Sequence, residues 1–313
     1  MTSETARTLH VGAGIAMSYA DPASDLRATA AHVEALGFDS VWLSDSNLGH
    51  PGSLEPLTML GYLAATTERL RLGVSVLVVP SKVPVQLAQM LATIDQLSGG
   101  RLIAGIGLGQ PDHLSAYGVT RAGRARRFDE AVELMRAVWQ PGPTTLDGPT
   151  WQLDGVDVNP RPVQQPGVPL WFGGGSDGAI DRAARYGDGW TNAGMSKFAD
   201  AGALADRMRA ALERHERDPS AFTIGKRVYV VVDNDEQRAL GRIEREFHTI
   251  YGRPGLGEGI AVHGSSDQVT EQVLGLAAHG YSFVMLHPID DQHEQLALLA
   301  DSVLPALRAA WGS

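Results

Sequence analysis

Short apolar runs alternate with amphipathic stretches along most of the 313-residue chain. The runs are rich in β-branched residues and predict buried strands, whereas apolar residues at helical spacing predict the helices between them. The predicted strands are at 8–15, 40–43, 72–79, 101–106, 170–172, 189–191, 222–232 and 281–286. This regular order of strands and helices is typical of an α/β protein, and its length favours a (β/α)8 TIM barrel.

One stretch, at about 140–169, interrupts the alternation. It is rich in Pro, Gly and Thr, and alternating Trp151 and Leu153 predict a small hairpin. Because the strand–helix order resumes afterwards, we interpret residues 1–313 as a single domain with an insertion between the fourth and fifth barrel strands. A doubly wound sheet is the alternative architecture. It usually has a Gly-x-Gly-x-x-Gly turn after its first strand, where this chain has only Gly12 and Gly14, inside the strand.

A glycine turn follows the predicted fifth strand. Gly173, Gly174 and Gly175 lead into Ser176 and a helical pattern, so bare backbone precedes a helix N-terminus. Amides and the helix dipole favour an anion at such a place, although a tight turn without a ligand is the alternative. The turn contains no lysine, so we expect the amides and the dipole to supply the attraction. Asp177 is then expected to turn away and cap the helix.

The composition of the chain argues against several classes of binding partner. The net charge is −10 and the sequence has no Lys/Arg-rich run, which argues against nucleic acid. No apolar run approaches the roughly 20 residues of a membrane span. The polar N-terminus has no secretory core, so we expect a cytoplasmic protein. Cysteine is absent and no His-Glu-x-x-His occurs, so we expect neither thiolate chemistry nor a metal site.

Several segments, taken in order, resemble the luciferase-like monooxygenase family, which contains flavin- and deazaflavin-dependent barrels. The resemblance covers about residues 8–232. The matching segments are Ala35 to Asp45 (ALGFDSVWLSD), Thr67 to Val76 (TERLRLGVSV), Leu91 to Leu102 (LATIDQLSGGRL), Arg161 to Gln164 (RPVQ), Gly173 to Gly175 and Gly187 to Trp190 (GDGW).

The resemblance implies a TIM barrel that binds coenzyme F420, or alternatively FMN, at its C-terminal mouth. It implies a cis peptide bond between Ser75 and Val76 behind the central ring of the cofactor. It also places the cofactor phosphate on the glycine turn, with Ser176. The bare backbone of Gly107 and Gly109 would let the ring and its side chain lie close to the fourth strand. Family members usually form homodimers, so we expect one here.

Asp45 and His113 are the predicted catalytic residues. Asp45 ends the second strand and is expected to bond cofactor or substrate, while His113 matches a polar position near the cofactor and titrates near neutral pH. Two positions depart from the family. Many deazaflavin members have a histidine where this chain has Ser46, and the sugar-phosphate dehydrogenases have a glutamate where it has Gln110, which argues against their reaction.

We therefore predict an oxidoreductase that transfers a hydride between F420 and a small organic substrate. An FMN-dependent monooxygenase of the same family is one alternative. A non-catalytic barrel that binds a ligand or serves as a partner subunit is another, because Ser46 and Gln110 replace reactive residues. His287, after the last predicted strand, is a substrate-side candidate, and the Gly-rich stretch 251–264 is a candidate lid.

Overall fold

The computed structural model describes residues 9–15, 22–45, 54–109, 111–192, 194–252 and 255–311. Within these ranges, no helix has both the length and the hydrophobicity needed to cross a membrane.

The described strands form a closed parallel barrel, as the sequence predicts. Its strands are β1 (His10–Gly14), β2 (Ser40–Leu43), β3 (Arg71–Val78), β4 (Leu102–Gly107), β7 (Leu170–Gly173), β8 (Gly189–Asn192), β9 (Thr223–Val232) and β11 (Phe283–Pro288). Neighbours in this order pair in parallel, and β11 pairs with β1 to close the ring. The prediction of a (β/α)8 barrel is confirmed.

Helices surround the barrel and bury their apolar faces against it. They are α1 (Pro22–Ala35), α2 (Pro56–Thr66), α3 (Pro84–Ser98), α4 (Arg124–Val138), α5 (Asp177–Tyr186), α6 (Ala201–Arg214), α7 (Glu236–Tyr251), α8 (Ser266–Leu274), α9 (Gln292–Leu298) and α10 (Leu304–Trp311). Proline begins α2 and α3, where its missing N–H costs nothing, and Gly99 ends α3 in a left-handed conformation with φ 65°.

The hairpin predicted near 140–169 is present. Its strands are β5 (Thr144–Asp147) and β6 (Gln152–Val156), which pair antiparallel. Trp151 directly precedes β6, and the guanidinium of Arg127 lies over its ring, 4.5 Å from the ring centroid. This contact fixes the hairpin against α4.

The stretch 251–264 differs from the predicted loop at its end. Val262–Gly264 form a short strand, β10, which pairs in parallel with the end of β9 outside the closed ring. Ile260 and Ala261 are buried against Tyr229, so this part of the predicted lid is packed structure.

Large apolar side chains fill the lower interior of the barrel. Trp42, Trp171 and Phe283 meet there with ring centroids 5.0 to 5.3 Å apart. Space for these rings comes from glycine: a Cβ placed on Gly73 would lie 2.3 Å from the ring of Trp42. These rings fill the barrel interior, so in the described part of the chain we expect a ligand at the C-terminal mouth.

Candidate active site

A cavity of about 520 Å³ lies at the carboxyl ends of the barrel strands. Every predicted cofactor-binding residue whose side chain the structure describes lines it. These residues are Asp45, Ser75, Val76, Gly107, Gly109, Gly173, Gly174, Gly175 and Ser176. Residues that are far apart in the chain are therefore brought to one place by the parallel strands.

Val76 forms one wall of the cavity between two strand ends. The predicted cis peptide bond between Ser75 and Val76 is present, and the pairing of β3 with β4 shifts register there. A Cβ on Gly107 would lie 2.6 Å from Cγ2 of Val76, and a Cβ on Gly173 would lie 2.7 Å from its Cγ1. Both positions need glycine because Val76 already occupies the space of a side chain.

The glycine turn has the geometry that its sequence predicts, with one correction. Gly174 has φ 113°, which a residue with a side chain rarely adopts. The indole Nε1 of Trp190 donates a hydrogen bond of 2.7 Å to its carbonyl, so β8 holds the turn in place. Ser176 is the N-cap of α5, whereas the predicted cap, Asp177, turns away from the cavity and pairs with Arg207.

Arginines stand where the sequence predicts only backbone attraction. Arg124 and Arg182 line the cavity with the glycine turn. The Nε of Arg182 lies 2.6 Å from Asp129, and Arg124 donates to the carbonyl of Gly109 at 3.1 Å. Helices α4 and α5 thus bring positive side chains to the cavity that the turn itself does not contain. The expectation that the amides and the dipole attract the phosphate stays a prediction, and the structure adds these two arginines as candidates.

Asp45 lies where the sequence predicts, beside Ser75 and Val76 in the cavity wall. Its Oδ2 accepts a hydrogen bond of 2.9 Å from the amide of Val78 and lies 3.3 Å from Nζ of Lys82. These contacts fix the carboxylate against the end of β3 and partly neutralise it. Its catalytic role stays a prediction.

The other predicted catalytic residue, His113, lies in a 3-10 turn at Pro111–Tyr117, and its side chain is outside the described residues. Ser46 and Gln110 are also outside them. Within the described ranges, no three His, Asp or Glu side chains converge to hold a metal ion.

Three residues of the last strands form a group at the mouth that the sequence does not single out as a unit. Arg227 and Tyr229 of β9 line the cavity, and His287 of β11 is buried beside them. The Nη2 of Arg227 lies 3.2 Å from Nδ1 of His287, and the rings of Tyr229 and His287 meet edge to face at 5.2 Å. Burial, and then the charge of Arg227, lower the pKa of His287 well below its usual value.

The other basic residue of this strand faces the opposite way. Lys226 is 1% exposed, and its Nζ donates to Oγ of Ser196 at 3.3 Å. Burial lowers its pKa to about 8, and Asp200 opposes that shift. Ser196 also donates to Asn192 at 2.8 Å, so Lys226 helps to hold the segment that follows β8. That segment contributes Met195 to the cavity.

A closed parallel barrel with a glycine-lined cavity at its carboxyl mouth is the arrangement of a TIM-barrel enzyme. The chain belongs to the luciferase-like monooxygenase family, whose model matches residues 5–255. The prediction of an enzyme from this family is confirmed.

Individual relatives differ in what they act on. The chain is 33% identical to the F420-dependent glucose-6-phosphate dehydrogenase of Kineococcus radiotolerans, over 67% of this chain and 65% of that protein. It is 27% identical to the phthiodiolone/phenolphthiodiolone dimycocerosates ketoreductase of Mycobacterium sp. (strain JLS), over 94% of this chain and 82% of that protein.

A solved structure extends the comparison of the fold. An F420-dependent secondary alcohol dehydrogenase, in complex with an F420-acetone adduct, has a TM-score of 0.82 and 18% identity, over 96% of this chain and 99% of that one. At this identity the likeness supports the barrel and does not identify a substrate.

Proposed function

We propose that this protein is an F420-dependent oxidoreductase that transfers a hydride between the cofactor and a small organic substrate. The observation that supports it is that residues predicted from the sequence line one cavity: Ser75 and Val76 of β3, and the glycines at the ends of β4 and β7. F420-dependent relatives support the same cofactor.

The cavity fits a planar ring joined to a phosphate. Side chains at Gly107, Gly109 and Gly173 would run into Val76 or Val78, at 2.4 to 2.7 Å, so no side chain can stand between the strand ends and a ring. The glycine turn and the first turn of α5 would hold the phosphate, because the first amides of a helix have no partner within it. Arg124 and Arg182 would add positive charge there.

When bound, F420 supplies two-electron hydride chemistry. The chain contributes position and electrostatics. Val76 supports one face of the site, and Asp45, fixed by Val78 and Lys82, presents a carboxylate to it. Tyr229 and Arg227 form a further part of the wall, which limits water near the reacting atoms.

Separate titrations of the full-length protein with F420 and with FMN, followed by fluorescence quenching, test the proposal. We expect saturable binding of F420, and oxidation of reduced F420 when a reducible carbonyl compound is added. Tight binding of FMN without F420 would favour the monooxygenase alternative. Binding of neither cofactor would favour the non-catalytic barrel.

A further inference from the structure

The cavity holds more positive than negative charge. Among the described residues that line it, three are arginines, Arg124, Arg182 and Arg227, and one is acidic, Asp45. Arg182 has its own carboxylate partner and Asp45 has its own ammonium partner. Within the described ranges, neither Arg124 nor Arg227 forms an ion pair with a carboxylate. The cavity is therefore suited to bind anions at more than one point.

The two unpaired arginines serve different parts of the cavity. Arg124 contacts the carbonyl of Gly109, after β4, and β4 pairs with the strand that leads into the glycine turn. Arg124 would therefore pair with the phosphate of the proposed cofactor. Arg227 contacts Ser44, directly after β2, and the carbonyl of Ser75 within β3. A phosphate bound on the glycine turn would not neutralise the charge of Arg227.

Neutral groups hold the Arg227 guanidinium in place. Nη2 donates to Oγ of Ser44 at 2.6 Å and lies 3.2 Å from Nδ1 of His287. Because arginine can only donate, Nδ1 of His287 must be the acceptor, and the lowered pKa keeps that ring uncharged. Nε is buried without a hydrogen-bond partner. The cation is positioned but not neutralised, which is costly in a partly buried site unless an anion binds.

We propose that Arg227 binds a carboxylate of the substrate, so that the substrate is a carbonyl or alcohol compound with a carboxylate close to its reacting carbon. This rests on the proposed function, since it places the reacting carbon beside Asp45 and Val76. Both hydrogens of Nη2 are engaged, and Nη1 makes only a long contact of 3.5 Å to Ser75. The remaining donor capacity suits one carboxylate oxygen rather than the several oxygens of a phosphate.

Isothermal titration calorimetry with benzoate and benzamide tests this assignment. The two probes have nearly the same shape and differ in charge. Both are titrated into the full-length protein, with and without F420, at fixed ionic strength so that screening is constant. We expect wild type to prefer benzoate by about tenfold, as a charge-assisted hydrogen bond predicts. Arg227→Gln is expected to remove the preference, and the surface variant Arg126→Gln to retain it.

Several outcomes would overturn the proposal. They are equal affinity of wild type for both probes, a benzoate preference that survives in Arg227→Gln, and a parallel loss of F420 affinity in that variant, which would assign the guanidinium to the cofactor. If Arg227→Gln does not fold, the same titrations are made with Arg227→Lys. A preference for benzoate that falls at least about threefold supports the proposal, and an unchanged preference refutes it.

The proposed function can fail separately. If wild type does not bind F420, the cofactor assignment is wrong, while the cofactor-free titrations still report whether Arg227 selects a carboxylate.

Discussion

Nη2 of Arg227 lies 3.2 Å from Nδ1 of His287, so burial and then the neighbouring permanent cation favour the neutral form of this histidine. Protonation of His287 would place two positive charges side by side inside the barrel mouth. The pair therefore links the stability of the barrel to pH.

We expect the free energy of unfolding to fall as the pH drops below about 6.5, the usual pKa of an unfolded-state histidine. The folded protein resists protonation of His287, since its pKa is lowered, whereas the unfolded chain takes up the proton. Above that pH neither state is protonated and the effect vanishes. The loss reaches about 1.4 kcal/mol for each pH unit.

Urea unfolding of His287→Gln between pH 8 and 5 measures this contribution. We expect a shallower pH dependence than in wild type. His10→Gln, at an exposed position, is the matched control for losing a histidine. Parallel pH profiles for wild type and His287→Gln would contradict the assignment.

Substitution of Gly107 by alanine should destabilise the protein through Val76. The new Cβ would lie 2.6 Å from Cγ2 of Val76, and overpacking of this kind costs about 1–3 kcal/mol. In a Val76→Ala background the obstructing methyl is gone, so the same substitution should cost clearly less. A double-mutant cycle by chemical denaturation measures the coupling, and additive effects would show that the two residues do not oppose each other.

We expect the affinity of Gly174→Val for F420 to be at least about tenfold lower than that of wild type. Its φ of 113° strains any residue with a side chain, and the change lies in the turn proposed to hold the phosphate. Fluorescence titration gives the affinity, and circular dichroism checks the fold. Gly61→Ala is the control, because nothing lies within 4 Å of its added Cβ. Unchanged affinity in folded Gly174→Val would move the phosphate elsewhere.

Lys226→Met should be at least as stable as wild type at pH 7. A buried ammonium is costly, and methionine fills similar space without a charge. As the pH rises from about 8 towards 10.5, the folded protein releases the Lys226 proton before the unfolded chain does. The free energy of unfolding of wild type should therefore rise relative to that of the variant, by on the order of 3 kcal/mol at most. Guanidinium unfolding at pH 7 and 10 compares the two. A stability difference that does not change with pH would exclude this linkage.

Much of the barrel follows from the sequence because buried parallel strands and glycine turns leave strong local patterns. Gly107, Gly173 and Gly174 mark places where backbone must replace side chains, and all of them line the cavity. Cytoplasmic location and a homodimer stay predictions.

Side chains that reach the site from strand interiors or helices leave no such pattern. Lys226 and Arg227 are neighbours in the sequence, yet one points out of the barrel and the other into its mouth. Alternation along a strand says that they diverge, but it does not say which one faces inward when both faces are buried. Arg182 likewise reaches the cavity from the second turn of α5, where its pattern is that of an exposed helix face.

The bond from Trp190 to the carbonyl of Gly174 has a consequence for protein engineering. The turn is held by a residue that lies 16 positions further along the chain, in the next strand. Transplanting the glycine triplet alone into another barrel would move the loop without the indole that fixes its shape. A functional graft would have to carry the whole unit from Leu170 to Trp190, so the smallest transferable piece of this site is a strand–helix–strand module.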